Sequence, residues 1–192
     1  MNVAVCDDDA GTRRQMQGYL EQYEKEQGTE LALYFYDSGE AFLEAYPMKI
    51  DILFLDIRMY QVSGMDIARH IRDMDEELCI IFISNMTQYA LEGYRVHAFD
   101  FIVKPFDYPF FKKVFSLACR RIDRRKNETI HVKNDSGLFS LQVSRIIYAE
   151  TLDHKLLLHT DQKAVVCYIS MGQLEKKLAE SNFFRCHQSF LI

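Results

Sequence analysis

The first 125 residues alternate short apolar runs with longer amphipathic stretches. Runs at Asn2–Cys6, Leu31–Tyr36, Ile52–Asp56, Cys79–Ser84 and Phe99–Val103 predict five strands. The stretches 10–25, 39–46, 64–73, 87–94 and 107–125 predict a helix after each. Ile52-Leu53-Phe54-Leu55 and Ile80-Ile81-Phe82-Ile83 are apolar at every position. Strict alternation survives only where one sheet face is wet, so unbroken apolar runs predict a parallel sheet covered on both faces. Five β-then-α units in series predict a doubly wound α/β domain.

The texture then changes. Arg120-Arg121-Ile122-Asp123-Arg124-Arg125-Lys126-Asn127 is a basic run. It fits a linker, assigned to residues 123–128 between a domain at 1–122 and a second at 129–192. Its cations have two readings: a solvated helix end that complements the C-terminal dipole, or a direct contact to phosphate. Beyond it, Thr129–Lys133, Leu138–Gln142, Ile146–Glu150, Lys155–His159 and Ala164–Tyr168 predict short strands. Asn134-Asp135-Ser136-Gly137 marks a hairpin and Thr160-Asp161-Gln162 a second turn. One helix is expected from Met171 to Glu180, so the second unit is small and mostly β.

Composition narrows the class. With 192 residues, 48% hydrophobic and 27% charged, the chain has the make-up of a soluble globular protein. No apolar run approaches the ~20 residues that span a bilayer. Met1-Asn2-Val3-Ala4-Val5 lacks the charged start of a signal peptide. The five scattered cysteines have no metal-ligand spacing, which fits reduced thiols and a cytoplasmic location. Net charge is −5: residues 1–126 hold 16 Lys/Arg against 21 Asp/Glu, and residues 127–192 hold 7 of each. Charge alone does not point to nucleic acid.

The strand ends carry the chemistry. In doubly wound sheets, ligands sit at the C-terminal ends of strands, at the switch point. Strand one ends in Cys6-Asp7-Asp8-Asp9, strand three in Asp56, strand four in Ser84, and strand five runs into Lys104-Pro105. With strand order 2-1-3-4-5 these ends converge. Converging carboxylates repel one another. A hard divalent cation relieves that, and Mg²⁺ also shares itself with phosphate oxygens. Asp7, Asp8 and Asp56 therefore form a candidate Mg²⁺ site open to a phosphoryl group. A carboxylate can itself be the nucleophile in phosphoryl transfer. Lys104 offers a cation and Ser84 a hydroxyl donor to the phosphoryl oxygens. A lone Asp at a strand end is more often a helix cap, and Asp9 fits that role.

Asp7-Asp8, Asp56 with Met59 and Gly64, Ser84, and Lys104-Pro105-Phe106 resemble the receiver domain of two-component response regulators, over about residues 1–125. The resemblance implies a flavodoxin-like (βα)5 fold with Asp56 as phosphoacceptor, supplied by a sensor histidine kinase. It implies Mg²⁺ held by Asp7, Asp8, Asp56 and the backbone carbonyl of Arg58. Ser84 and Phe101 match the switch positions. Repacking of the face formed by the fourth helix, fifth strand and fifth helix implies a phosphorylation-dependent homodimer. Slow autodephosphorylation, not classical enzymatic turnover, is expected. Tyr60 stands where the family commonly has proline, and Asn85 where it has a small residue; the latter predicts slower phosphoryl exchange.

Ile146-Ile147-Tyr148-Ala149-Glu150-Thr151, His154-Lys155 and Phe183 through Ile192 resemble the opening part of a LytTR DNA-binding domain. That implies promoter DNA with direct repeats as a partner. The resemblance implies His154, Lys155 and Gln188 as base or phosphate contacts, and His187 and Ser189 as residues expected to tie down the loop. LytTR domains continue past this motif, so Phe190-Leu191-Ile192 is expected to form an unpaired apolar edge. A shortened sequence, a naturally shortened regulator, or a strand supplied by a partner would each account for it; the first is favoured.

Two other functions stay open. The receiver could act as a phosphorylation-dependent interaction module without DNA binding. Asp7 could instead be the nucleophile of a haloacid-dehalogenase-type phosphatase. Against the latter, Gly11 replaces the expected Thr or Val, and Asp56 would be idle.

Overall fold

The computed structural model describes the chain except residues 47–48, 153–154, 180 and 182. The chain forms two compact units, Met1–Ile122 and Asp123–Ile192.

In the first unit, β1 (Asn2–Cys6), β2 (Ala32–Tyr36), β3 (Ile52–Leu55), β4 (Cys79–Ser84) and β5 (Asp100–Val103) form a parallel sheet in the order β2-β1-β3-β4-β5. Successive side chains of a strand point to opposite faces. Val3, Val5, Ile52, Phe54, Ile81 and Ile83 therefore meet one set of helices, α1 (Ala10–Gln27) and α5 (Tyr108–Asn127). Ala4, Cys6, Leu53, Leu55, Ile80 and Phe82 meet the other, α2 (Gly39–Ala45) and α3 (Gly64–Arg72). Both faces are dry, which is why these strands read as continuous apolar runs. Asp9 caps α1 by accepting from the Gly11 and Thr12 amides, and Gly28 ends it at φ 63°.

The expected helix at 87–94 is not continuous. Thr87–Tyr89 is a 3-10 turn, α4 (Ala90–Gly93) is one α-helical turn, and Tyr94–Val96 is a second 3-10 turn, ended by His97 at φ 48°. No side chain caps either start, and Leu91 and Tyr94 are 78% and 79% exposed. A short helix depends on burying an apolar face, and this segment buries little beyond Val96. At α5 the helix-end reading of the basic run is the one observed. The basic residues assigned to a linker form its last turns through Asn127, since Arg and Lys are good helix formers and suit the C-terminal dipole.

In the second unit, β6 (Thr129–Asn134) and β7 (Gly137–Gln142) form a hairpin. A second sheet has the order β10-β9-β8-β12-β11. Its strands are β8 (Ile146–Leu152), β9 (Lys155–Thr160), β10 (Ala164–Cys167), β11 (Arg185–His187) and β12 (Phe190–Leu191). The helix α6 (Met171–Lys177) is capped by a reciprocal Ser170–Gln173 box and buries Met171 and Leu174.

The C-terminal run corrects an expectation. It is no unpaired edge: β12 lies between β8 and β11, with Phe190 opposite Glu150 and Leu191 opposite Ala149. Leu191 is fully buried, and Ile192 and Phe184 exchange backbone hydrogen bonds. The turn at 188–189 folds the run back so that both its edges are paired.

Candidate functional site

Hydrogen bonding of the central strands fixes two of the three carboxylates. Cys6 and Leu55 are in register, and the ladder continues one step: the Asp56 amide donates to the Cys6 carbonyl (2.9 Å) and the Asp7 amide to the Tyr36 carbonyl (3.1 Å). Asp7 and Asp56 are thus buried side by side at the sheet's end, 1% and 7% exposed, while Asp8 faces solvent. One oxygen of each of the three lies within 4.8 Å of the others. Lys104 enters from the end of β5, anchored by its amide on the Ser84 carbonyl (3.1 Å). Its Nζ is 2.7 Å from Asp7 Oδ2 and 3.3 Å from Asp56 Oδ2. The Lys104–Pro105 bond is cis.

The carboxylates are not equivalent. Both oxygens of Asp7 are engaged, Oδ2 by Lys104 and Oδ1 by the Asp9 amide at 2.9 Å. Asp56 Oδ1 accepts from the Ile57 amide at 2.8 Å, but its Oδ2 meets Lys104 only at the longer distance. Burial raises the Asp7 pKa, and the hydrogen bond and charge of Lys104 offset this only in part. Burial pulls Lys104 down, but the Asp7 hydrogen bond and the charges of Asp56 and Asp7 outweigh it, so its pKa is raised. Nearby Cys6 is pushed up to about 12, first by burial and then by Asp7, which makes it an inert thiol.

The loop after Asp56 closes against its own start. The Gly64 amide donates to the Ile57 carbonyl (2.9 Å), and a Cβ on Gly64 would lie 2.0 Å from the Asp56 carbonyl oxygen. Only glycine permits that approach. Arg58 and Tyr60 are exposed on this loop and Met59 is buried beneath it. Ser84 is buried, its Oγ accepting from the Met86 amide at 3.4 Å; Asn85 beside it is exposed. Phe101 is half-buried, its ring 6.3 Å from that of Phe82. Sequence reasoning missed Arg13, one turn into α1, whose Nη1 donates to the Asp7 carbonyl at 2.6 Å. Nothing in the residue pattern marks a side chain that binds backbone.

The donor set suits a hard cation. All three groups offer oxygen, and against one ammonium they carry two excess negative charges, which a divalent ion neutralises.

In the second unit, Lys155 is exposed at the start of β9 and Gln188 on the turn between β11 and β12. The Thr151 amide donates to the Ser189 carbonyl (2.9 Å), which brings the ends of β8 and β9 and this turn to one end of the sheet. His154 lies outside the described residues. His187 Nδ1 accepts from the Ser189 amide (3.2 Å). Arg185, unmarked by sequence reasoning, donates to the His187 and Gln188 carbonyls at 3.3 and 2.7 Å.

Residues 3–114 match the model of the response regulator receiver domain, and residues 136–192 that of the LytTr DNA-binding domain. The chain belongs to the response regulator family. It joins a receiver to a LytTR DNA-binding domain, the make-up of a two-component regulator of transcription. The sensory transduction protein LytT of Bacillus cereus is 26% identical over 209 residues, covering 100% of this chain and 82% of that one. The transcriptional regulatory protein YpdB of Escherichia coli K12 is 23% identical over 204 residues with the same coverage. LytT of Bacillus subtilis is 30% identical over 163 residues, covering 79% of this chain and 67% of that one. Among solved structures, the response regulatory domain of mrkE from Klebsiella pneumoniae superposes with a TM-score of 0.59 at 21% identity, covering 65% of this chain and 99% of that one. TrrA from Thermotoga maritima superposes with a TM-score of 0.54 at 22% identity, over 61% and 97%. These two matches establish the receiver fold. No described helix of this response regulator is long and apolar enough to cross a membrane.

Proposed function

We propose that this response regulator accepts a phosphoryl group on Asp56 from a sensor histidine kinase in the cytoplasm, and that phosphorylation promotes dimerisation and binding of promoter DNA. The observation that carries this reading is the convergence of Asp7, Asp8 and Asp56 with the Lys104 ammonium at the end of the parallel sheet. Asp56 is the better acceptor than Asp7, because its Oδ2 is the more loosely held. In the transfer, an Asp56 oxygen forms a bond to phosphorus as the phosphorus–nitrogen bond of the kinase phosphohistidine breaks and its electron pair returns to the imidazole.

Asp7, Asp8, Asp56 and the Arg58 carbonyl are the residues to hold Mg²⁺, which when bound neutralises charge on the transferred oxygens. Lys104 moves from the carboxylates to a phosphoryl oxygen, where its charge is matched again. Ser84 turns its hydroxyl toward the same group, and Phe101 follows inward, repacking the surface of α4, β5 and α5. The acyl phosphate is lost slowly by hydrolysis.

On the DNA side, Lys155 and Gln188 face the duplex, and the resemblance to the LytTR domain adds His154 as a contact. Gln can pair bidentately with adenine, and Lys can bind guanine or phosphate. The test is to label the full chain with a small phosphodonor and Mg²⁺ and to map the acyl phosphate. Label on Asp56, absent from Asp56→Asn, is the expected result. Label on Asp7 would instead support the phosphatase chemistry.

A further inference from the structure

Asp8 differs from the other two carboxylates. Asp7 and Asp56 are buried, and their side chains are tied to backbone amides and to Lys104. Asp8 faces solvent, so its direction depends on the backbone that carries it. Two peptide planes bound a residue, and their relative rotation sets where its side chain points. The plane after Asp8 is held by the Asp9 amide, which donates to Asp7 Oδ1 at 2.9 Å. The plane before it carries the Asp7 carbonyl, and Arg13 Nη1 donates to that oxygen at 2.6 Å.

This bond stands where the sheet runs out. The Asp7 amide donates to the Tyr36 carbonyl, but β2 ends at Tyr36 and the chain turns at Ser38 into α2. A buried carbonyl past the last ladder position still needs a donor, and Arg13 supplies it. It does so from a fixed base. The Arg13 amide donates to the Asp9 carbonyl (3.1 Å), in a helix capped by the Asp9 side chain and anchored by the buried Met16 and Leu20. Helix electrostatics do not explain a cation here, because a positive charge near a helix start opposes the dipole. Arg14 is its exposed neighbour, turned about 100° around the same helix.

We infer that Arg13 is a positioning residue for the cation site: it holds the peptide between Asp7 and Asp8, and so aims Asp8 at the ion without touching the ion. This rests on the Mg²⁺ reading above and deepens it. Two opposed effects separate positioning from charge. As a bare charge, Arg13 repels a cation, and its removal should tighten binding. As a positioning group, its removal should loosen binding, since groups that orient metal ligands typically contribute roughly 10- to 100-fold in affinity.

The test uses Mn²⁺, which takes carboxylate and carbonyl oxygen as Mg²⁺ does. It is titrated into the full chain without phosphodonor, and free Mn²⁺ is read by electron paramagnetic resonance. R13M is expected to bind about 10-fold more weakly than the parent. R14M removes the same charge from the same helix, and should bind as tightly as the parent or more tightly. Urea unfolding without metal shows that each variant is folded, and R13Q carries the same prediction should R13M fail to fold. Unchanged or tighter binding by the folded Arg13 variant, or an equal loss in R14M, overturns the positioning role and leaves the cation site standing. Absence of Mn²⁺ binding by the parent, or binding undiminished in D8N, overturns the Mg²⁺ reading and the positioning role together, and both results are recognised without any Arg13 variant.

Discussion

The two units hold their candidate functional groups in opposite ways. In the receiver, Asp7 and Asp56 extend strands that are buried on both faces, and backbone hydrogen bonds fix their positions before any ligand arrives. In the LytTR unit, Lys155 is exposed at the start of β9 and Gln188 on the turn between β11 and β12, a turn held by Arg185 and His187. The difference fits the partners proposed for the two units. A phosphoryl group is small and must meet preplaced charge, because electrostatic stabilisation works best when little reorganises. A duplex is large and polyanionic, and its recognition needs an accessible surface. Burial is therefore costly and useful at the first site, and would defeat the second.

That contrast can be broken at its structural base. Leu191→Ala should destabilise the second unit by about 3 kcal/mol, the usual cost of emptying a buried leucine site. Urea unfolding followed with a probe in that unit measures it. A loss below about 1 kcal/mol would mean that β12 is not held between two strands. Gly64→Ala should cost about 2 kcal/mol, because the new Cβ meets the Asp56 carbonyl oxygen and the loop must move. It should also slow phosphoryl incorporation; unfolding and labelling rates together check it, and normal labelling would show that the loop does not position Asp56.

The central strands of the receiver were legible because every side chain on them is buried, and an unbroken apolar run of strand length suits few environments besides a doubly covered sheet. The clustering at the strand ends was legible for a related reason: the topology converts Asp7, Asp56 and Lys104, far apart in sequence, into neighbours. The interruption of the fourth helix was not legible. Leu91 and Tyr94 lie one turn apart, as on an apolar helical face, yet both are exposed, and burial is a tertiary outcome. The pairing of β12 was equally hidden, since a terminal apolar run fits an edge or a central strand until its partners are known. Arg13 and Arg185 act on backbone carbonyls, which leave no trace in residue types.

Smaller changes sharpen the comparison. Gln188→Ala should leave folding within about 0.5 kcal/mol of the parent, since the side chain is exposed. It should weaken specific over random DNA binding by about 1 kcal/mol, read from paired titrations. Equal loss on both sequences would make Gln188 a phosphate contact. The smallest effect is expected at Glu26, held down to about 2 by hydrogen bonds from Lys112, Gln22 and Tyr108. Its folded pKa lies below the ordinary 4.5, so its stabilising contribution is present above that value and is lost as pH falls toward 2. Glu26→Gln should flatten the acid limb of the stability profile, and added salt should shrink the difference because the site is exposed. An unchanged acid limb would show that the network contributes nothing.

If the two units work as one switch, chemistry at the buried carboxylates governs binding at the exposed turns. The most direct test is the affinity of the full chain for its promoter DNA, with and without phosphodonor, in the parent and in Asp56→Asn. Coupling free energies of this kind are typically 1–3 kcal/mol, so phosphorylation should raise the parent's affinity by about 10-fold and leave Asp56→Asn unchanged. Equal parent affinity under both conditions, with Asp56 shown to be phosphorylated, would contradict that coupling.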